Sequence, residues 1–139
     1  MSKYNISEKR KKTDVNYVAN LSKETVEKIY EQIMLKFVVE KKYRNAGYTA
    51  AQMAKEIGYN SRYISAVVRM RYHDNFSQLI NNFRIKEAMY MMTDKHFVKM
   101  NIEEIATATG FANRQCFYAA FYRMAGMTPR EYRLQHTVK

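Results

Sequence analysis

The chain has 139 residues, of which 47% are hydrophobic, a composition that allows a buried core and argues against wholesale disorder. Its 24 Lys and Arg outnumber 13 Asp and Glu, and the net charge of +11 favours a polyanionic partner, nucleic acid before an anionic membrane surface. A single cysteine, Cys116, excludes an internal disulfide. Because no apolar run suits a membrane span or a signal peptide, we expect a soluble protein of the cytoplasm with no membrane partner.

Residues 1–21 form a polar and basic segment, predicted to be a flexible tail. Its run EKRKK, residues 8–12, is too polar to pack and indicates solvated chain, with a basic arm along phosphates as the alternative. The remaining chain, residues 22–139, is predicted to fold.

Helix-start and helix-stop signals divide the first part of this chain into three helices. Ser22 caps the first, in which apolar residues recur at three- and four-residue spacing until about residue 42. Thr49 caps a short second helix that Gly58 ends, and a third begins at Asn60 or Ser61.

The second part of the chain continues this pattern for four more helices. Asn75 caps the longest, which runs to about residue 92, and Asn101 caps a shorter helix that Gly110 ends. Asn113 begins the next, and the sequence TPRE starts the last. With no convincing alternating strand, the sequence predicts an all-α fold of about seven helices.

The two glycine-ended helices lie in an internal repeat. Ala54 and Gly58 of MAKEIGYN align with Ala106 and Gly110 of IATATGFA at a shift of 52 positions, and the apolar positions beyond align at 53. A small residue, a glycine and a later apolar anchor suit two helices that cross closely over a tight turn. The repeat therefore predicts two helix-turn-helix units.

The second helix of each unit leaves a polar face outward, and its side chains suit a DNA interface. Arg can pair with guanine O6 and N7, Asn or Gln with adenine, and Ser or Tyr with phosphates. Arg62 and Arg114 both stand four residues past a glycine, which favours DNA reading over an ordinary polar face. The predicted DNA-binding residues are Ser61, Arg62, Tyr63, Ser65, Ala66 and Arg69 in the first unit, and Asn113, Arg114, Gln115, Tyr118, Ala119 and Arg123 in the second.

Two further arginines near the C-terminus, Arg130 and Arg133, are candidate phosphate contacts, with plain solvation as the alternative. Enzyme chemistry finds little support, because the three histidines have no ligand spacing with Cys116 or with one another. Cys116 is interpreted as a small, semi-buried residue, and Glu103 and Glu104 as cap and dipole partners at a helix start. We therefore expect no catalytic activity, no metal and no cofactor.

Three stretches resemble the DNA-binding domain of the AraC/XylS family of bacterial transcription regulators: RIKEAMYMM, IEEIATATGF and CFYAAFYRMAGMTPREYR. The resemblance covers about residues 49–133. It implies two homeodomain-like units, at about 22–74 and 100–136, joined by a linker helix at 75–93 and entering successive major-groove faces of one asymmetric site. The recognition positions carried over are Arg62, Ser65 and Ala66, then Arg114, Gln115 and Ala119.

The resemblance also sets expectations about partners. It implies double-stranded DNA, an activator rather than a repressor, contact with RNA polymerase, and a sensor domain or partner protein outside this chain. The alternative is an output module that binds a protein partner and has weak or non-specific DNA binding alone. One departure concerns His73, which stands where the family often has a glycine.

Overall fold

The structure, a computed structural model, describes residues 21–136, so the predicted tail falls outside the described residues except for Leu21. Between these limits all regular structure is helical, which confirms the all-α prediction. The seven helices described are α1 (Lys23–Met34), α2 (Ala50–Ile57), α3 (Ser61–Tyr72), α4 (Phe76–Thr93), α5 (Ile102–Ala108), α6 (Arg114–Ala125) and α7 (Pro129–His136).

Side-chain caps set the helix starts. Each of five predicted caps accepts a hydrogen bond from the backbone N–H three residues on: Ser22, Thr49, Asn75, Asn101 and Thr128. The Asn101 N–H in turn donates to the Glu104 carboxylate, which completes the predicted capping box. Such a cap contributes about 1 kcal/mol to helix stability, so the local sequence fixes these boundaries.

The end of the first helix differs from the prediction. α1 ends at Met34 and continues as a single π-helical turn, Leu35–Val39, rather than as α-helix to residue 42. The chain then turns at Lys41, whose φ of 53° is left-handed, into a 3-10 turn at Lys42–Arg44. Tyr43 and Tyr48, which follow this turn, are both buried but do not continue the helical spacing of α1.

Contacts divide the described chain into two compact units. Unit 1 contains residues 21–40 and Thr49–Leu79, and unit 2 contains Lys41–Tyr48 and residues 80–136. Helix α4 thus starts in unit 1 and continues in unit 2. The sequence-based division places residues 41–48 in the first unit, whereas the structure packs this segment with the second.

Unit 1 is built on α1, α2 and α3, which pack against one another. Its largest fully buried side chains come from all three helices and from the π-helical turn: Ile29, Ile33, Phe37, Met53, Ile64, Val67 and Val68. Phe37 also meets Phe76 with ring centroids 5.7 Å apart. The apolar face of α3 is therefore held inward, and its opposite face remains for solvent or a ligand.

Unit 2 has its core between α4, α5, α6 and α7. Phe117 and Phe121 of α6 have no exposed surface, and Phe117 packs edge-on against Phe111 at 5.1 Å. Tyr132 of α7 meets the Phe121 ring at 5.4 Å. The inward positions predicted for α6 are thus confirmed, and its polar face points away from this core.

A buried arginine holds segment 41–48 in unit 2. The Arg84 guanidinium donates to the backbone oxygens of Tyr43, at 2.7 Å, and Asn45, at 3.0 Å, and to the Asn81 side chain, at 3.1 Å. Gly110, with φ of 109°, lies so close that a Cβ there would overlap the Tyr43 carbonyl oxygen and approach Arg84 Nε to 2.8 Å. Glycine is therefore required at residue 110 by packing as well as by backbone conformation.

Candidate nucleic-acid interface

In unit 1, the N-terminus of α3 is fixed by Asn60 and left open to solvent. The Asn60 side-chain oxygen accepts from the N–H groups of Arg62, at 2.9 Å, and Tyr63, at 3.2 Å. The predicted residues on one face of this helix differ in their exposure to solvent. Ser61, Arg62 and Arg69 are exposed, whereas Tyr63 and Ser65 are half-buried. This face offers hydroxyl groups and two guanidinium groups along one side of a rigid helix.

Ala66 does not lie on the exposed face where the sequence predicts it. Only 1% of its surface is exposed to solvent, and it is buried together with its neighbours Val67 and Val68. The reason is that both α1 and α2 pack on α3, so the buried stripe of this helix is wider than a two-helix unit would need. A methyl contact between Ala66 and a base is therefore excluded in this conformation.

In unit 2, Asn113 acts as the N-cap of α6. Its side-chain oxygen accepts from the Cys116 N–H at 2.9 Å, so this oxygen is already used within the protein. The predicted residues that remain on α6 are otherwise accessible, with Arg114, Gln115, Ala119 and Arg123 exposed and Tyr118 half-buried. Ala119 is thus available for a methyl contact, unlike Ala66.

The helix caps correct the equivalence drawn between Arg62 and Arg114. Both residues stand four positions past a glycine, but α3 is capped at Asn60 and α6 at Asn113. Arg62 is consequently the second residue of its helix, whereas Arg114 is the first. Because one residue turns the helix by about 100°, the two guanidinium groups leave their helices in different directions.

Arg114 is held by two neighbours within unit 2. Its Nη1 lies 3.6 Å from Oε1 of Glu103 on α5, and its guanidinium carbon lies 4.8 Å above the Tyr118 ring. These three side chains, with Thr107 and Asn113, border a shallow cavity of about 70 Å³ between α5 and α6. No periodic pattern in the sequence links Glu103 to Arg114 across the turn, so from the sequence alone Glu103 is only a helix-start residue.

Two other sequence interpretations are wrong. Arg133, a candidate phosphate contact, is half-buried and donates to the backbone oxygens of Met100, at 2.6 Å, and Phe97, at 3.1 Å. It therefore ties α7 to the turn that precedes α5. Cys116, expected to be semi-buried, is exposed on α6. Arg130 is exposed and stays a predicted phosphate contact.

His73 adopts a left-handed backbone conformation, which usually favours glycine. Its φ is 58°, and its N–H donates to the Arg69 carbonyl oxygen, ending α3 with a left-handed residue. A residue with a side chain thus adopts a left-handed conformation at this turn, at the expense of backbone strain.

Two shifts in acidity lie where segment 41–48 meets α4. Burial, helped by the Glu87 carboxylate, raises the pKa of Tyr43 to about 12. Burial alone would raise the pKa of Glu87, but hydrogen bonds from Arg44 and Tyr43, together with the positive charges of Arg44 and Lys41, outweigh it and hold this pKa below its ordinary value. Glu87 is therefore a structural carboxylate, paired with Arg44 at 2.8 Å through Nε.

Other site types find no support between residues 21 and 136. No cluster of three or more His, Cys, Asp or Glu side chains in this part of the chain could hold a metal ion. None of its helices has the length and apolar character needed to span a bilayer. The exposed face of α3 in unit 1 and the exposed face of α6 in unit 2 are two separate candidate sites.

Comparisons with known proteins agree with the all-helical fold. A family model described as "Helix-turn-helix domain" matches residues 53–135, more than half of the chain. The fold is similar to the C-terminal domain of AraT, a response regulator from Geobacillus stearothermophilus, with a TM-score of 0.69, 19% identity, and coverage of 86% of this chain and 91% of that one. It is also similar to an AraC-type transcriptional regulator from Chromobacterium violaceum, with a TM-score of 0.64, 19% identity and coverage of 78% and 91%.

One relative is similar in sequence. The chain is 26% identical over 87 residues to the uncharacterized HTH-type transcriptional regulator YtdP of Bacillus subtilis. The match covers 63% of this chain but only 11% of YtdP, so the chain corresponds to a small part of that relative.

Proposed function

The chain belongs to the AraC/XylS family of DNA-binding transcription regulators, and from this membership we propose that it recognises double-stranded DNA sequence-specifically, with α3 and α6 as recognition helices. Each helix enters the major groove, and the two read adjacent segments of one asymmetric site about a helical turn apart. The observation that carries the proposal is the exposed arginine in the first turn of each capped helix, Arg62 and Arg114.

The chemistry of these two faces suits base reading. A guanidinium group can donate two parallel hydrogen bonds to guanine O6 and N7, and each such pair gives about 1–3 kcal/mol of discrimination. Gln115 supplies an amide that suits adenine, and Ala119 can contact a thymine methyl group. We expect less direct reading from unit 1, because Ala66 is buried there.

The surplus of basic residues supports binding to the DNA backbone. The net charge of +11 predicts release of counterions from the duplex, and hence affinity for any sequence that falls steeply with salt. Arg123 and Arg130, both exposed, are the proposed phosphate contacts on unit 2. Affinity and sequence preference thus depend on separate residues.

We propose transcription activation in the cytoplasm as the biological role, with RNA polymerase as a protein partner. A second candidate function is supported by AraT, whose matching part is the C-terminal domain of a response regulator. In that case the chain acts as the output module of a sensor-regulator, and a protein partner is needed for tight DNA binding.

The test is selection of bound duplexes from a random library at near-physiological salt, followed by sequencing. Enrichment of one asymmetric motif with two informative blocks about a helical turn apart would support recognition of one site by both α3 and α6. Binding without enrichment would contradict it and favour the output module, and no binding at all would contradict DNA recognition by the isolated chain.

A further inference from the structure

The two adjacent carboxylates at the start of α5 have different environments. Glu104 accepts a hydrogen bond from the Asn101 N–H at 3.1 Å and completes the helix cap. Glu103 instead faces Arg114 across the turn, with Oε1 3.6 Å from Nη1. This separation is longer than a hydrogen bond, so the contact is an ion pair that can open without breaking a tight bond.

The Tyr118 ring provides a second support for Arg114. The guanidinium carbon lies 4.8 Å from the ring centroid, and the ring itself packs edge-on against Phe117 at 5.8 Å. Because Phe117 has no exposed surface, Tyr118 is anchored to the core of unit 2. The Arg114 side chain therefore has a carboxylate near one nitrogen and an aromatic face near its plane.

We propose that Glu103 is a specificity-determining residue, which acts by positioning Arg114 and by withholding it from phosphate groups. This inference rests on the proposed role of α6 in base reading. A guanidinium group has five N–H donors in a flat fork. Contact of Glu103 with Nη1 leaves the edge formed by Nε and Nη2 for the two acceptors of a guanine.

A phosphate competes less well for the same arginine. Guanine is neutral, so it can share the guanidinium with the Glu103 carboxylate, one on each edge. A phosphate brings a second negative charge close to Glu103 and is repelled, or must displace the carboxylate and gain little. Glu103 thus lowers affinity for any DNA backbone more than it lowers affinity for a site with the right base.

Glu103 has no charged counterpart at the aligned position of the first repeat. At the shift of 52 positions that aligns the glycines, the residue equivalent to Glu103 is Ala51, which has no charge. The carboxylate is therefore not required to form a helix-turn-helix unit, and Glu103 can be changed without disturbing a shared structural position.

The test compares Glu103→Gln with wild type by fluorescence anisotropy, on a duplex that carries the selected motif and on a scrambled duplex of the same composition. The variant should bind the scrambled duplex roughly two- to fivefold more tightly, the range expected from an exposed ion pair. Its affinity for the motif should rise less, so the ratio of the two affinities should fall. Glu131→Gln, which removes an equal charge from α7 of the same unit, should leave that ratio unchanged.

A double-mutant cycle separates positioning from simple repulsion. In an Arg114→Ala background, Glu103→Gln should no longer change the affinity ratio. An unchanged ratio in the single variant would overturn the proposal, and so would an equal change in the Arg114→Ala background. Absence of any motif preference in wild type would refute the proposed function and this inference together, whereas a preference that Glu103→Gln leaves intact would refute the inference alone. Equal thermal unfolding midpoints would show that both variants remain folded.

Discussion

Replacement of Gly110 by alanine tests the packing of segment 41–48 in unit 2. The new Cβ would overlap the Tyr43 carbonyl oxygen and come within 2.8 Å of Arg84 Nε, so the segment and the guanidinium group must move apart. The φ of 109° is also unfavourable for any residue with a side chain. Both effects destabilise unit 2.

The expected loss follows from these contacts. A left-handed backbone strains alanine by about 1–2 kcal/mol. Alanine recovers about 0.4–1 kcal/mol by restricting the unfolded chain. Loss of one or both Arg84 bonds to the Tyr43 and Asn45 oxygens adds about 1.5–3 kcal/mol for each bond. We therefore expect Gly110→Ala to lower the free energy of unfolding by about 2–5 kcal/mol if one Arg84 bond is lost, and by more if both are lost.

The internal repeat offers a matched control. Gly58 ends α2 with a φ of 83°, but a Cβ there would meet no atom within 4 Å. Gly58→Ala therefore introduces only backbone strain, and we expect it to lower the free energy of unfolding by about 0.5–1.5 kcal/mol. Urea unfolding followed by circular dichroism measures both variants. Equal losses would refute the close packing of residues 43 and 44 against Gly110.

Three further predictions concern stability. His73→Gly should raise the free energy of unfolding by about 0.5–1 kcal/mol, because glycine accepts the φ of 58° without strain, and a lower urea midpoint would contradict this. Arg84→Met should lower the free energy of unfolding by about 2–4 kcal/mol, since two carbonyl oxygens of segment 41–48 lose their donor. A loss below about 1 kcal/mol in urea unfolding would show that these buried hydrogen bonds contribute little to stability. Because Arg44 depresses the pKa of Glu87 below 4.5, the stability from this pair is complete above that pH and is lost as the pH falls through the folded pKa. Between about pH 5 and pH 3, the thermal unfolding midpoint should therefore fall more steeply for wild type than for Glu87→Gln. Parallel curves of midpoint against pH would contradict the pairing.

The helices could be predicted from the sequence because their signals are local. Capping residues such as Thr49 and Asn101 act within three positions, and the apolar spacing of α6 already places Phe117 and Phe121 inward. The left-handed glycines at 58 and 110 follow from the same local logic, since both end a helix. These features depend on neighbours in sequence and need no knowledge of the tertiary fold.

The remaining features depend on residues far apart in sequence. Arg84 is buried because carbonyl oxygens about forty positions earlier accept its hydrogen bonds, and an arginine in a sequence is ordinarily expected to be exposed. Ala66 is buried because α1 also packs on α3. The contact between Glu103 and Arg114 crosses a turn that interrupts helical periodicity. Such contacts appear only once the helices are assembled.

The central claim is that α3 and α6 each read a separate block of one DNA site, and parallel selections with Arg62→Ala and Arg114→Ala test it most directly. We predict that each variant still binds DNA, that Arg62→Ala loses information in one block, and that Arg114→Ala loses information in the other. Arg130→Ala, the phosphate-contact control, should weaken binding to all sequences alike and leave the motif intact. If Arg62→Ala and Arg114→Ala both returned the wild-type motif, the assignment of these helices as the reading elements would be wrong.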